Sequence, residues 1–197
     1  MALVGRLLAA GIVVAGVAAC TVAHRTDMFR QDELTDAQQI IADAKLGAGD
    51  LTIEGSVDRP DTTYRPGQPI TLSVKTNKDA YVAILRVLPS GETVLVFPNR
   101  THRDAGLKAN TVLTVPAGGE AVKIAVDKPG TVLFKFIAST SGNSWVFKRA
   151  PDEGSDFANL GVTTRNIAKD LTSTLKPGSG AVAASQVTVR ITGGGLL

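Results

Sequence analysis

The chain has 197 residues, 44% of them apolar and 20% charged, with a formal net charge of +3. That length fits one domain, or one domain with attached segments, and burial of roughly 70% of the unfolded surface is enough for a core without covalent staples. A single cysteine excludes an intramolecular disulfide and a thiolate metal cluster, and dispersed, nearly balanced charge argues against a nucleic-acid partner despite a pI of about 9.

Residues 1–19 have the three parts of a secretory leader: a positive start at Arg6, an apolar or glycine run from Leu7 to Ala19, and small residues before Cys20. The run is short for a membrane span, which needs roughly 20 apolar residues, and polar sequence follows from Thr21. Val17-Ala18-Ala19-Cys20 resembles the lipobox of bacterial lipoproteins. The resemblance implies that the Cys20 sulfur carries a diacylglyceryl group, that residues 1–19 are removed, and that acyl chains on the new amino terminus hold the chain on a bilayer without spanning it. The expected mature chain of 178 residues keeps 20 basic and 18 acidic residues, a balance of +2. Thr21 after the cysteine, in place of aspartate, resembles an outer-membrane destination with the domain in the periplasm.

Residues 20–50 read as a tether with a short helix. Thr35 and Gln38 have capping-box spacing, Ala37, Ile40, Ile41 and Ala44 recur at helical intervals, and Gly47 supplies a stop, which predicts a helix ending near Leu46. From Leu51 the period becomes two. Leu51, Ile53 and Val57, then Ile70, Leu72 and Val74, and later Val122, Ile124 and Val126 alternate with polar residues or glycine, the pattern of antiparallel strands with one buried face. Tyr81 to Leu88 and Thr131 to Ala138 are apolar on both faces, interrupted by Arg86 and Lys135, and read as central strands. Arg65-Pro66-Gly67, Asn77-Lys78-Asp79, Pro89-Ser90-Gly91 and Lys128-Pro129-Gly130 are turn signals between them.

After Ser139 the pattern loosens. Val162, Ile167, Leu171 and Leu175 share a helical face, so a helix is predicted over Thr164 to Leu175 within an insertion at about 157–176. Gly178 to Ser185 is small and flexible in composition; Val187, Val189 and Ile191 then alternate as a last strand. The predicted fold is mainly β: an antiparallel β-sandwich, immunoglobulin-like or similar, over 51–192, with short flanking helices and a flexible tail at 193–197.

Tyr64-Arg-Pro-Gly67, the strand Ile70 to Val74, Thr76-Asn77, Ala80-Tyr81-Val82, Pro89-Ser-Gly91 and Leu95-Val96-Phe97-Pro98-Asn99 occur in an order that resembles the bacterial family known as domain of unknown function 4384. Val115-Pro116, Lys128-Pro129-Gly130 and Val132 to Ser139 continue it. The resemblance implies a β-rich domain of exported bacterial proteins and brings no catalytic motif. Physically, Tyr64 is expected to cover a corner of the sandwich with its hydroxyl bonded. Asn77 and Asp79 are expected to bond locally at a tight connection, and Pro98 to stop a ladder after Phe97.

His24 and His102 are the two imidazoles, and His24 lies four residues from the lipid position. A ligand-binding loop is therefore sought at Asn99, Arg100, His102 and Arg103, whose cationic groups suit a carboxylate or phosphate; the same residues also fit a solvated connection. Asp152, Glu153 and Asp156 lack the oxygen spacing of a calcium loop. Trp145 and Phe147 read as a seal on the core edge or, in the alternative, a sugar platform. No catalytic residue, metal or cofactor is expected. The expected function is a non-catalytic binding or assembly module held by Cys20 at the bilayer, with an envelope protein or cell-wall polymer as partner. The alternatives are an envelope-polymer hydrolase centred on His102 with Asp104, and an accessory component of a secretion or surface apparatus.

Overall fold

The computed structural model describes residues 33–47, 49–176, 178 and 180–193. The expected leader, Cys20 and residues 194–197 lie outside the described residues. In chain order the elements are helix α1 (Asp36–Ala42), strands β1 (Ile53–Val57), β2 (Thr63–Tyr64), β3 (Leu72–Thr76), β4 (Ala80–Val87), β5 (Thr93–Phe97), β6 (Gly106–Leu107), β7 (Val112–Val115) and β8 (Gly130–Ser139), a 3-10 turn (Trp145–Phe147), β9 (Ala158–Gly161), α2 (Thr164–Thr174) and β10 (Val182–Ile191).

The fold is mainly β, and its strands form two sheets. One sheet runs β1-β3-β7 and the other β2-β10-β8-β4-β5-β9, with β6 paired to the start of β4. Pairing is antiparallel except for the two-residue contact of β2 with β10, which is parallel. The sheets pack face to face over one core, in which Leu72 and Val74 of β3 meet Val82 and Ile84 of β4 and Phe134 and Phe136 of β8. The packing is close enough that a Cβ on Gly55 of β1 would lie 2.3 Å from the Phe136 ring.

The other face of the large sheet carries a second core. Ala83, Leu85 and Val87 of β4 and Leu133 and Ile137 of β8 pack there against Ile41 of α1, Val146 and Phe147, and Ile167 and Leu171 of α2. Strands covered on both faces lose the polar half of their alternation, which accounts for the continuous apolar runs of β4 and β8. The architecture is thus a sandwich with a helical third layer.

Several local expectations are corrected by tertiary contacts. α1 stops at Ala42 instead of running to Leu46, because the Lys135 ammonium donates to the Ala42 carbonyl at 2.8 Å and satisfies an end group that another turn would otherwise have to bond. Val122, Ile124 and Val126 are buried but form no strand. The Gly67 and Ile70 amides donate to Val126 and Ile124, yet Pro66 and Pro69 offer no amide hydrogens to extend the ladder. β10 begins at Val182, so part of the small-residue stretch is strand; Ala183 there faces Ala138 of β8. Val162 is 64% exposed and lies before the helix whose face it was assigned to. Asn77 bonds across the fold: its side chain accepts from the Thr52 amide (2.7 Å) and donates to the Asp50 carbonyl (2.9 Å).

Candidate functional site

The predicted loop follows β5 directly, and its conformation comes from Asn99. This side chain is fully buried; its Oδ1 accepts from the Thr101 amide (3.0 Å), the Thr101 hydroxyl (3.0 Å) and the His102 amide (2.8 Å). The arrangement is an Asx turn closed by the Asn99 amide donating to the His102 carbonyl at 3.0 Å. Arg100 reaches sideways to Asp156 at 2.7 Å, and its amide donates to the Asp156 carbonyl at 3.0 Å, so the loop is tied to the segment before β9. His102 packs edge-on against Phe97 with ring centroids 5.2 Å apart, while Asp104 accepts from the Gly106 amide at 2.9 Å. The structure therefore brings Asn99, Arg100 and His102 together as a braced corner. Arg103 is exposed at its edge.

A second polar constellation is at the end of the sandwich where the chain from the tether enters. Thr35 and Gln38 form the expected capping box, and the Thr35 hydroxyl donates to the Pro89 carbonyl at 3.1 Å. Gln38, fully buried, donates from Nε2 to the carbonyls of Val87 (3.0 Å) and Thr131 (2.7 Å). One amide group thus clamps α1 to both central strands.

The two cations that interrupt the apolar strands point to opposite faces. Lys135 enters the helical layer, where burial lowers its pKa below the ordinary lysine value and the charge of Asp43 partly restores it. Arg86 shares the inward parity of Val82 and Ile84 and sits at the end of the inter-sheet core. Its Nη1 donates to the Ala125 carbonyl at 2.9 Å, and its buried Nε has no partner. Burial pulls its pKa down, opposed by the charges of Glu92 and Asp127. A cavity of about 330 Å³ lies over it, walled by Leu88, Pro89, Val126 and Pro129. Sequence reasoning found Arg86 only as a break in a strand. That break was the available signal, because an inward-facing charge needs a partner or a purpose.

Other predicted groups take connecting roles. Tyr64 is buried and donates its hydroxyl to Asp58 at 2.7 Å; burial and that carboxylate raise its pKa well above the ordinary phenol value. Asp152 accepts from Arg149 (3.2 Å) and from the Asn159 amide (2.7 Å). Phe147 is buried and Trp145 half-buried in the helical layer. No cluster of histidine, cysteine and carboxylate groups able to hold a metal occurs among the described residues, and no helix among them is long and apolar enough to cross a membrane.

The fold defines a two-sheet β-sandwich with a helical layer on one face. Within it, residues 63–142 match the family described as domain of unknown function (DUF4384), a stretch from β2 to just past β8. It is also 25% identical over 131 residues to the "46 kDa surface antigen" of Mesomycoplasma hyopneumoniae, in strain 232 and in strain J. These alignments cover 64% of this chain and 32% of each relative, so the chain spans about a third of the length of the curated relatives it matches. No solved structure matches the chain.

Proposed function

We propose that this chain is an envelope lipoprotein, acylated at Cys20, which presents its β-sandwich as a non-catalytic binding or assembly module. The compartment we assign is the periplasmic face of the outer membrane, and the partner an envelope protein or cell-wall polymer. Likeness to proteins named surface antigens supports a place at the cell envelope. The observation that carries the reading is the clamp at α1. The segment coming from Cys20 enters the body at Thr35 and Gln38, which bond to Pro89, Val87 and Thr131, so a hold on the lipid is a hold on the central sheet. The stretch from Cys20 to Glu33 reaches at most about 45 Å when extended, which keeps the module near its surface.

The test is mass spectrometry of the mature amino terminus with fractionation of the producing cell. The expected result is a triacylated or diacylated Cys20 as first residue, membrane recovery of the wild type, and release of Cys20→Ala to the soluble fraction. An unmodified cysteine with the leader retained would overturn it. Crosslinking in intact cells that captures neither an envelope protein nor cell-wall material would overturn the binding role.

A further inference from the structure

We propose that the cavity over Arg86 is a binding site for a carboxylate on a small apolar stem, the chemistry shared by a free apolar amino acid and the last residue of a peptide. This goes beyond the anchoring role and stands whether or not Cys20 carries lipid.

The argument starts from an unbalanced charge. Arginine stays protonated at any working pH, and a buried guanidinium is costly unless hydrogen-bonded and paired. Arg86 is inward-facing and partly buried, yet no carboxylate among the described residues lies within ion-pair distance. Its single hydrogen bond is from Nη1 to the Ala125 carbonyl. Glu92 and Asp127 act on it only from farther away. Nη2 is left over as a charge-assisted donor for a carboxylate, while Nε, buried without a partner, adds to the cost of the charge. An aliphatic residue at position 86 would continue the core of Val82 and Ile84 without that cost. A group that the fold keeps at such expense beside a cavity points to a ligand that balances it.

The surroundings select the ligand. The volume, about 330 Å³, is at the small end of ligand sites. Leu88, Pro89, Val126 and Pro129 offer apolar walls, while Glu92, Asp127 and Lys128 add charged groups to the lining. With Arg86 and Lys128 against Glu92 and Asp127 the local charge sums to zero, so a dianion such as phosphate meets two carboxylates in the same lining. A single carboxylate on Arg86 with an apolar stem between Leu88 and Val126 meets both demands. A free ammonium on the same molecule would in addition face Glu92 and Asp127.

The site also has a fixed frame. Pro89, which lines it, accepts the hydrogen bond from Thr35, and the Leu88 amide donates to Glu92 at 2.9 Å to close the hairpin beneath it. The lining is therefore tied through Pro89 to the start of α1.

The experiment is a titration of the isotope-labelled full-length chain, followed by amide NMR, with four probes: leucine, N-acetyl-leucine, N-acetyl-leucine amide and inorganic phosphate. The expected result is saturable shifts at residues 86–92 and 125–130 with leucine or N-acetyl-leucine, and none with the amide. Tighter binding of leucine assigns a free amino acid; tighter binding of N-acetyl-leucine assigns a peptide end. Arg86→Met is expected to weaken binding roughly 10- to 100-fold, as loss of a charged hydrogen-bonded pair does. Equal binding of acid and amide, preference for phosphate, wild-type affinity in Arg86→Met, or no shift with either acid at about 50 mM would overturn the proposal. The acid-against-amide comparison uses the unaltered chain and so stands even where the variant fails to fold.

Discussion

Replacing Gln38 by leucine tests whether α1 is an integral part of the sandwich or an ornament on its surface. The substitution keeps the volume roughly constant and removes two donated hydrogen bonds, to Val87 at 3.0 Å and Thr131 at 2.7 Å. It also removes the acceptor for the Thr35 amide at 3.0 Å. Each buried carbonyl stripped of its partner costs about 1–3 kcal/mol, and loss of the cap about 0.5–2 kcal/mol. Allowing for the added apolar burial of leucine, the expected loss is about 3–6 kcal/mol, a large part of the roughly 5–15 kcal/mol that holds a domain folded. For a domain of this size that lowers the thermal midpoint by roughly 6–24 °C. Urea denaturation of the full chain measures the loss, and hydrogen exchange locates it: protection of the Gln39 and Asp43 amides, bonded to Thr35 and Gln39, should fall first. A loss below about 1 kcal/mol with those amides still protected would refute the reasoning. It would mean that water satisfies the carbonyls and that the clamp carries no load.

Three further outcomes follow from the same packing. Gly55→Ala places a methyl 2.3 Å from the Phe136 ring and should cost about 1–3 kcal/mol by overpacking; a second change, Phe136→Leu, should recover part of it, and strictly additive losses in urea curves would argue against direct contact. Tyr64→Phe removes the 2.7 Å bond to Asp58 and should cost about 1.5–3 kcal/mol. Because burial and Asp58 raise the folded pKa of Tyr64, its contribution is present below the ordinary phenol value and lost as pH rises through the folded one, so the gap between wild type and variant should close in strong alkali. Lys135 has the opposite sign: burial lowers its pKa in the fold, so the unfolded state binds more protons between the folded and unfolded values and wild-type stability rises with pH there. Measured against Lys135→Met, the wild type should improve between pH 7 and about 11; a difference that does not change with pH would sink the assignment of a charged, desolvated lysine.

The parts of this fold that were legible in advance share one property, which is that their cause lies within a few residues. The capping box needs only Thr35 and Gln38, and the hairpin between β4 and β5 needs only Pro89-Ser90-Gly91 between two apolar runs. The periods of β1 and β3 mark one buried face each. The family order from Tyr64 to Ser139 was legible because turns and strands at fixed spacing form a pattern that needs no knowledge of contacts. The missed elements depend on distant partners. β9 and β6 are short strands that exist because β5 and β4 offer them an edge. The alanines at the start of β10 become strand because β8 lies beside them. The extended segment Val122 to Val126 looks like a strand, but prolines opposite it prevent a ladder. At the loop after β5, the residue types were legible and their partners were not: Arg100 is answered by Asp156, 56 residues away.

By itself the sequence determined where the two helices and the alternating strands β1 and β3 lie, where several turns fall, that two strands lie in the middle of a sheet, and which residues make the chain resemble a lipidated, β-rich exported protein. Only the tertiary structure decided what the polar residues inside those apolar runs do. Gln38 joins carbonyls 49 and 93 residues away, Lys135 ends a helix on one face, and Arg86 meets a cavity on the other. A charge within an apolar run has the same local signature in each case, since backbone propensity and periodicity act over a few residues. Its role is set by what the far parts of the chain bring to the face on which it emerges.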